Sequence, residues 1–185
     1  MKMKKEGIVI AIMTAAMMLT SACGEKKKSE NIITTKVVTK SPSAPQKMQE
    51  YDQVKEFEMS GNHLTCHIHR APDDSLRMVK NEQGQKYYDN RITMEITRED
   101  GSVFVSKSFT KSSFDEFLDE DYRQTGVMAG LVFDKVEGGV LKLAASVAHP
   151  NTDEYIPLIV SIDKNGAMHI ERDKSLDTNG EEEMN

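Results

Sequence analysis

The chain has 185 residues, two cysteines, no tryptophan and a formal net charge of −6. An acidic balance argues against nucleic acid as a partner, because that binding needs a basic footprint to displace counterions. Two cysteines exclude a disulfide-stapled miniature fold, and the roughly 125 residues of the central body are enough for one hydrophobic core.

In chain order, MKMKKEG opens with three lysines against one acid, and Ile8 to Leu19 then carry no charge. Such a run spans about 18 Å as a helix, short of the roughly 20 residues that cross a bilayer, and has the size of a signal-peptide core. Thr20, Ser21 and Ala22 then precede Cys23. This order resembles the lipobox of bacterial lipoproteins, where the cysteine thiol receives a diacylglyceryl group, the signal is cut before it and the new amine is acylated. The usual leucine three places before the cysteine is replaced by Thr20, with Leu19 one place further back. The expectation is a signal peptide over 1–22 and lipid attachment at Cys23, each buried methylene contributing about 0.8 kcal/mol to membrane attachment. The segment 23–47 reads as the lipidated cysteine and a flexible basic tether, although IITTKVV within it could form an early strand. Lys26, Lys27 and Lys28 lie where anionic headgroups would attract them, or serve only to solubilise the linker.

The body, 48–172, has mostly a period of two. In NHLTCHIH, a strand turns His63, Thr65, His67 and His69 to one face and Leu64, Cys66 and Ile68 to the other. Three imidazoles on one face are weak candidates for zinc or copper. The roots of His67 and His69 stand about 7 Å apart on a strand, and no carboxylate or cysteine motif accompanies them, so the expected reading is a wet strand face without metal or other cofactor. Cys66 reads as a buried small hydrophobe. RITMEIT and VFVSKSFT flank EDGS as a hairpin. A two-residue Asp100–Gly101 turn sets Ile96 against Val105, Met94 against Lys107 and Ile92 against Phe109.

KSSFDEFLDEDYR predicts one amphipathic helix with Phe114, Phe117, Leu118 and Tyr122 as its buried stripe and Ser112 or Ser113 as its cap. VMAGLVFDKVEGGVLKLAASVAH predicts two strands around Gly138–Gly139, the first apolar enough to be central in its sheet. YIPLIVSI and AMHIE form a last hairpin. A three-residue loop Lys164-Asn165-Gly166 sets Ile162 against Met168 and Val160 against Ile170, with Gly166 left-handed, and Pro157 suggests an edge position. The acidic tail 173–185 reads as disordered. The fold class is therefore α+β, mainly antiparallel β, as a sandwich or a short barrel with one helix.

Catalytic signatures are sparse. His149 in HPNTDEY lies near Asp153 and Glu154, where an acid–base pair is conceivable but a solvated turn is the plainer reading. EFLDEDY is acidic but lacks the alternating ligands and central glycine of an EF-hand loop. No nucleophile elbow, phosphate-cradling glycine loop or H-E-x-x-H motif occurs. No catalytic residue is assigned.

From KYYDNRITMEITREDGSVFVSKSFTKSSFDEFLDEDYRQTGVMAGLVFDKVEGG through HPNTDEYIPLIVSIDKNGAMHIERD, the body resembles a family of small lipoproteins of Bacteroides-like bacteria, filed as a domain of unknown function. The resemblance covers roughly residues 48–173 and carries no catalytic residues to transfer. It implies an envelope lipoprotein. Surface-exported lipoproteins of such bacteria tend to have acids just after the cysteine, whereas GEKKK here favours an outer-membrane anchor facing the periplasm. The expected function is a non-catalytic, lipid-anchored module that binds an envelope protein or a small molecule. The alternative is an envelope hydrolase or metal-dependent enzyme using the His63/His67/His69 face or His149, and it requires a pocket where one of these converges with carboxylates. A structural subunit of an envelope complex is a third reading.

Overall fold

The computed structural model describes residues 43–175. The expected signal peptide, Cys23, most of the expected tether with IITTKVV, and most of the acidic tail lie outside the described residues.

The described residues form ten strands, the longer of them built mostly on alternation of apolar and polar residues. The first sheet has the order β1 (Tyr51–Met59), β2 (Asn62–Pro72), β5 (Asn90–Arg98), β6 (Val103–Phe109). The second has the order β10 (Met168–Arg172), β9 (Tyr155–Ile162), β8 (Val140–Ala148), β7 (Val127–Glu137). Both sheets are antiparallel throughout. Cys66, Ile68, Ile92, Met94 and Ile96 from the first sheet share one core with Leu141, Leu143, Leu158, Val160 and Ile162 from the second. Among the described residues no strand belongs to both sheets, so the fold is a sandwich and no barrel closes. Each such fully buried Leu, Ile or Phe contributes about 1.5–3 kcal/mol. A third, two-stranded sheet, β3 (Val79–Lys80) with β4 (Lys86–Tyr87), rests on a smaller cluster of Val79, Tyr87 and Val127. Among the described residues, no helix is long and apolar enough to cross a membrane.

The last hairpin has the predicted register, with Ile162 against Met168, Val160 against Ile170, and Gly166 at φ +82°. The β5–β6 hairpin keeps the three predicted pairs, but its turn differs. Gly101 N–H donates to Arg98 O at 2.9 Å, Arg98 N–H donates to Ser102 O at 2.9 Å, and Gly101 is left-handed while Asp100 is not. The loop is thus Glu99-Asp100-Gly101, one residue longer than predicted. A bulge between Ile96 and Thr97 absorbs the extra residue and restores Ile96 to Val105.

The predicted single helix is two. A 3-10 helix, Lys111–Phe117, ends at Leu118 in extended conformation, and α1 runs from Glu120 to Thr125. Asp119 makes the break: its carboxylate accepts the Tyr122 N–H at 3.1 Å, so it caps a new helix rather than continuing the old one. The first cap is Thr110, whose N–H donates to Ser113 Oγ at 3.1 Å, not Ser112 or Ser113. Phe114 and Leu118 are still buried as the stripe requires, while Phe117 and Tyr122 are partly so.

Strand β7 lies at the rim of its sheet, not at its centre. Its apolar character has another cause, since it packs against β1, β2 and β5 of the opposite sheet. Side chains from that sheet and its flanks cap the first part of the β7 rim. Asp89 Oδ1 accepts the Met128 N–H at 2.8 Å, and Asn90 Nδ2 donates to Met128 O at 2.9 Å. The Arg70 guanidinium donates to Ala129 O, and Gln53 Oε1 accepts the Phe133 N–H at 2.8 Å. An edge strand with free amides invites pairing with another chain, and these contacts occupy that edge at Met128, Ala129 and Phe133. Pro157, expected at an edge, instead sits on an internal strand. It lies one residue before the first β9–β10 pair, Leu158 with Arg172; its carbonyl still accepts the Asp173 N–H at 3.0 Å, and its missing N–H leaves the ladder to end there.

Cys66 is the free thiol of the described residues and is buried, as its flanks predict. Burial alone pushes the thiol up to about 11. The folded domain is therefore expected to leave Cys66 unmodified by iodoacetamide at pH 8, with full alkylation in urea; rapid labelling of native protein would contradict this packing.

Candidate functional site

Strand β2 turns His63, His67 and His69 to the outer face as predicted, since Leu64, Cys66 and Ile68 are buried. The register then brings carboxylates to them from β1. Asp52 Oδ1 lies 2.8 Å from His67 Nε2, and Asp52 Oδ2 lies 3.0 Å from His69 Nδ1. Hydrogen bonds from His67 and then His69 hold the Asp52 carboxyl below its usual value. His63 is 4.0 Å from Glu56, on the same open face. This is a hydrated surface array of ion pairs, and such exposed pairs contribute about 0–1 kcal/mol each. Among the described residues, no group of three or more His, Cys, Asp or Glu side chains is placed to hold a metal ion.

His149 occupies a different setting. The β8–β9 loop folds back because Asn151 adopts φ +61°, a left-handed conformation that asparagine tolerates better than most residues. The loop is closed by His149 N–H donating to Glu154 O at 3.1 Å and Thr152 Oγ1 donating to His149 O at 3.2 Å. The imidazole stacks on Tyr122 of α1, with centroids 4.1 Å apart and planes at 17°. Its side chain is only 17% exposed. Nδ1 lies 3.1 Å from Glu154 Oε2, and Nε2 lies 3.1 Å from Asp121 Oδ2. The second contact lacks hydrogen-bond alignment, which leaves Nε2 buried and without a hydrogen-bonding partner among the described residues. The Tyr122 phenol is pushed up, first by burial and then by Glu154, Asp119 and Asp121.

His149, Glu154 and Asp121, with neighbouring residues of the loop and of α1, form one wall of a cleft of about 540 Å³, whose other walls come from the β3–β4 hairpin. That hairpin turns at Asn81, whose Oδ1 accepts the Gln85 N–H at 2.9 Å, with Gly84 left-handed at φ +79°. Its tip presents Asn81, Glu82 and Gln83 to the cleft. Tyr87, itself buried, joins the two walls: its Oη accepts Asn151 Nδ2 at 3.0 Å and Asn81 Nδ2 at 3.4 Å. The lining contains Glu82, Asp121 and Glu154 but no lysine or arginine.

The convergence of a histidine with carboxylates in a cleft thus occurs at His149 and not at His63, His67 or His69. Of the two local acids singled out in the sequence, Glu154 makes the contact. Asp121, Tyr122, Asn81, Tyr87 and Asn151 join the site without any sequence signal that marks them as functional. The turn signature N-E-Q-G between two short tyrosine- and valine-bearing segments is the one local hint of the hairpin wall. Chemically, a base that activates a nucleophile needs one ring nitrogen oriented by an acid and the other directed at a hydroxyl or thiol. Here both nitrogens face carboxylates, and among the described residues no hydroxyl or thiol is hydrogen-bonded to the ring.

The fold and cleft together define a two-sheet antiparallel β domain with a polar, acidic cleft at one end. The family model described as "Domain of unknown function (DUF4738)" matches residues 30–170, and the chain belongs to that family. The match begins ahead of residue 48, where the body was expected to start. No curated protein matches the chain in sequence.

Proposed function

We propose that this protein is a lipid-anchored binding module of a bacterial cell envelope, which holds a polar small ligand in the His149 cleft without transforming it. The observation that carries the binding reading is the arrangement of the imidazole. It is stacked on Tyr122 and flanked at both nitrogens by carboxylates, on the wall of a cleft of about 540 Å³, a size that suits a small molecule. The anchor rests on the charged start, the short apolar run and the small residues before Cys23, and GEKKK supports a periplasm-facing position in the outer membrane. Thioether-linked and amide-linked chains on Cys23 would make attachment stable.

Two measurements test this reading. Cys23→Ser should move the protein from the membrane to the soluble fraction, and the native N-terminal peptide should carry added acyl mass. A variant that still sediments, with no acyl mass on the native peptide, overturns the anchor. For binding, a fragment set of amines, neutral polyols and carboxylates is titrated into labelled, detergent-solubilised full chain. At least one class should shift the His149 ring and the Asn81 and Asn151 carboxamide resonances. If no class moves them, the cleft is not a binding site.

A further inference from the structure

We infer that the ligand of the cleft is an organic ammonium ion with a hydroxyl or carbonyl oxygen close to the charged nitrogen, such as an amino alcohol or an amino sugar. This rests on the binding reading above and specifies its chemistry.

The first argument is the sign of the charge. Three carboxylates, Glu82, Asp121 and Glu154, line the cleft against one imidazole, so the lining stays negative in either state of His149. An anionic ligand would meet no lysine or arginine there. A cation meets opposite charge in a recess partly sheltered from water, where attraction exceeds its bulk value.

The second argument is a missing donor. When Nδ1–H of His149 is given to Glu154, Nε2 is an acceptor facing the Asp121 carboxylate at 3.1 Å. In that neutral tautomer both groups are acceptors, and whichever proton the ring carries, Nε2 makes no aligned hydrogen bond to any described residue. An ammonium group supplies N–H donors to both. Asp121 is 67% exposed, so a rotation of its side chain admits the ligand without disturbing the core. Glu154 Oε2 holds the ring, and among the described residues its other oxygen has no hydrogen bond to lose.

The third argument is a spare donor on the opposite wall. Tyr87 Oη already accepts two carboxamides, from Asn151 and Asn81, and among the described residues its own proton has no acceptor. The Tyr87 ring is buried, while its hydroxyl is part-buried and lines the cleft, so the proton is directed where a ligand can accept it. A ligand oxygen beside the ammonium satisfies it. The cleft therefore offers acceptors on one wall and a fixed donor on the other, the complement of an amino alcohol.

The test titrates labelled full chain with D-glucosamine and ethanolamine, against D-glucose, ethylene glycol and gluconate. Both amines should shift the cleft resonances at concentrations roughly tenfold below those of the neutral controls, the scale of one charge-assisted hydrogen bond. Glu154→Gln and Asp121→Asn, at exposed positions, should each remove that advantage while leaving the amide spectrum folded. Tyr87→Phe should weaken ethanolamine but not ethylamine. If glucose or gluconate binds the cleft as tightly as glucosamine, the ammonium assignment fails while the cleft remains a binding site. If none of the five compounds shifts the cleft, the binding reading fails with it.

Discussion

Replacing Asp89 by alanine lowers the stability of the domain by about 2–6 kcal/mol, because it leaves two buried N–H groups without an acceptor, at about 1–3 kcal/mol each. Both Met128 N–H and Asn90 N–H donate to the same oxygen, Asp89 Oδ1, at 2.8 Å. Asp89→Asn keeps an oxygen at that position, so it should stay within about 1 kcal/mol of the parent by urea unfolding, since a volume-conserving change that preserves the partners costs little. The two variants separate loss of the acceptor from loss of the charge. They also separate in pH dependence. Burial raises the Asp89 carboxyl above its ordinary 3.8, so the folded state holds that proton more tightly than the unfolded chain. Its contribution to stability is therefore complete below pH 3.8 and is lost as pH rises through the raised folded value. Asp89→Asn should remove that downward component from the stability–pH curve. An alanine variant as stable as the parent would mean that the Asp89 contacts do not secure β7.

Phe114→Ala is expected to cost about 3–5 kcal/mol, the usual range for truncating a buried phenylalanine. The ring is fully buried and lies 5.9 Å from that of Phe109, with planes at 24°. It is also the buried residue of the 3-10 helix, Lys111–Phe117, so its loss removes the main anchor of that segment. Because α1 follows after Leu118 and Asp119, the cleft wall carrying Asp121, and the Tyr122 ring stacked on His149, should loosen with it. The expected readout is a lower midpoint in urea together with a His149 ring resonance that loses its Tyr122 shielding. Phe117→Ala, at a partly buried position, should give a smaller loss of stability and leave that resonance in place. Equal losses for the two would contradict the packing described.

Local pairing is legible in the sequence wherever a strong alternation meets a turn glycine. Ile92, Met94 and Ile96 find Phe109, Lys107 and Val105 opposite them, and Val160 finds Ile170 in the last hairpin. The bulge beside Thr97 is not legible, because one residue more in a turn and one more in a strand cancel in the pattern. The place of β7 in its sheet departs from expectation for a physical reason: burial by an opposing sheet and burial between neighbours leave the same apolar composition. The helix break at Leu118 depends on one competition, Asp119 as cap against Asp119 as helix interior, which periodicity does not weigh. The β3–β4 hairpin has strands of two residues, too short for any period. The cleft escapes the sequence for a related reason. Its walls come from the hairpin tip, α1 and the β8–β9 loop, and only the last of these carries a histidine to draw notice.

The clasp on β7 has a consequence for how the molecule fails. Arg70 and Gln53 reach that strand only while the two sheets are docked. Undocking would strip the clasp and bare an adhesive strand in a single step. Partial opening is thus also the moment of greatest risk of chain-to-chain aggregation, and selection for a tightly cooperative sandwich and selection for solubility act on the same few side chains.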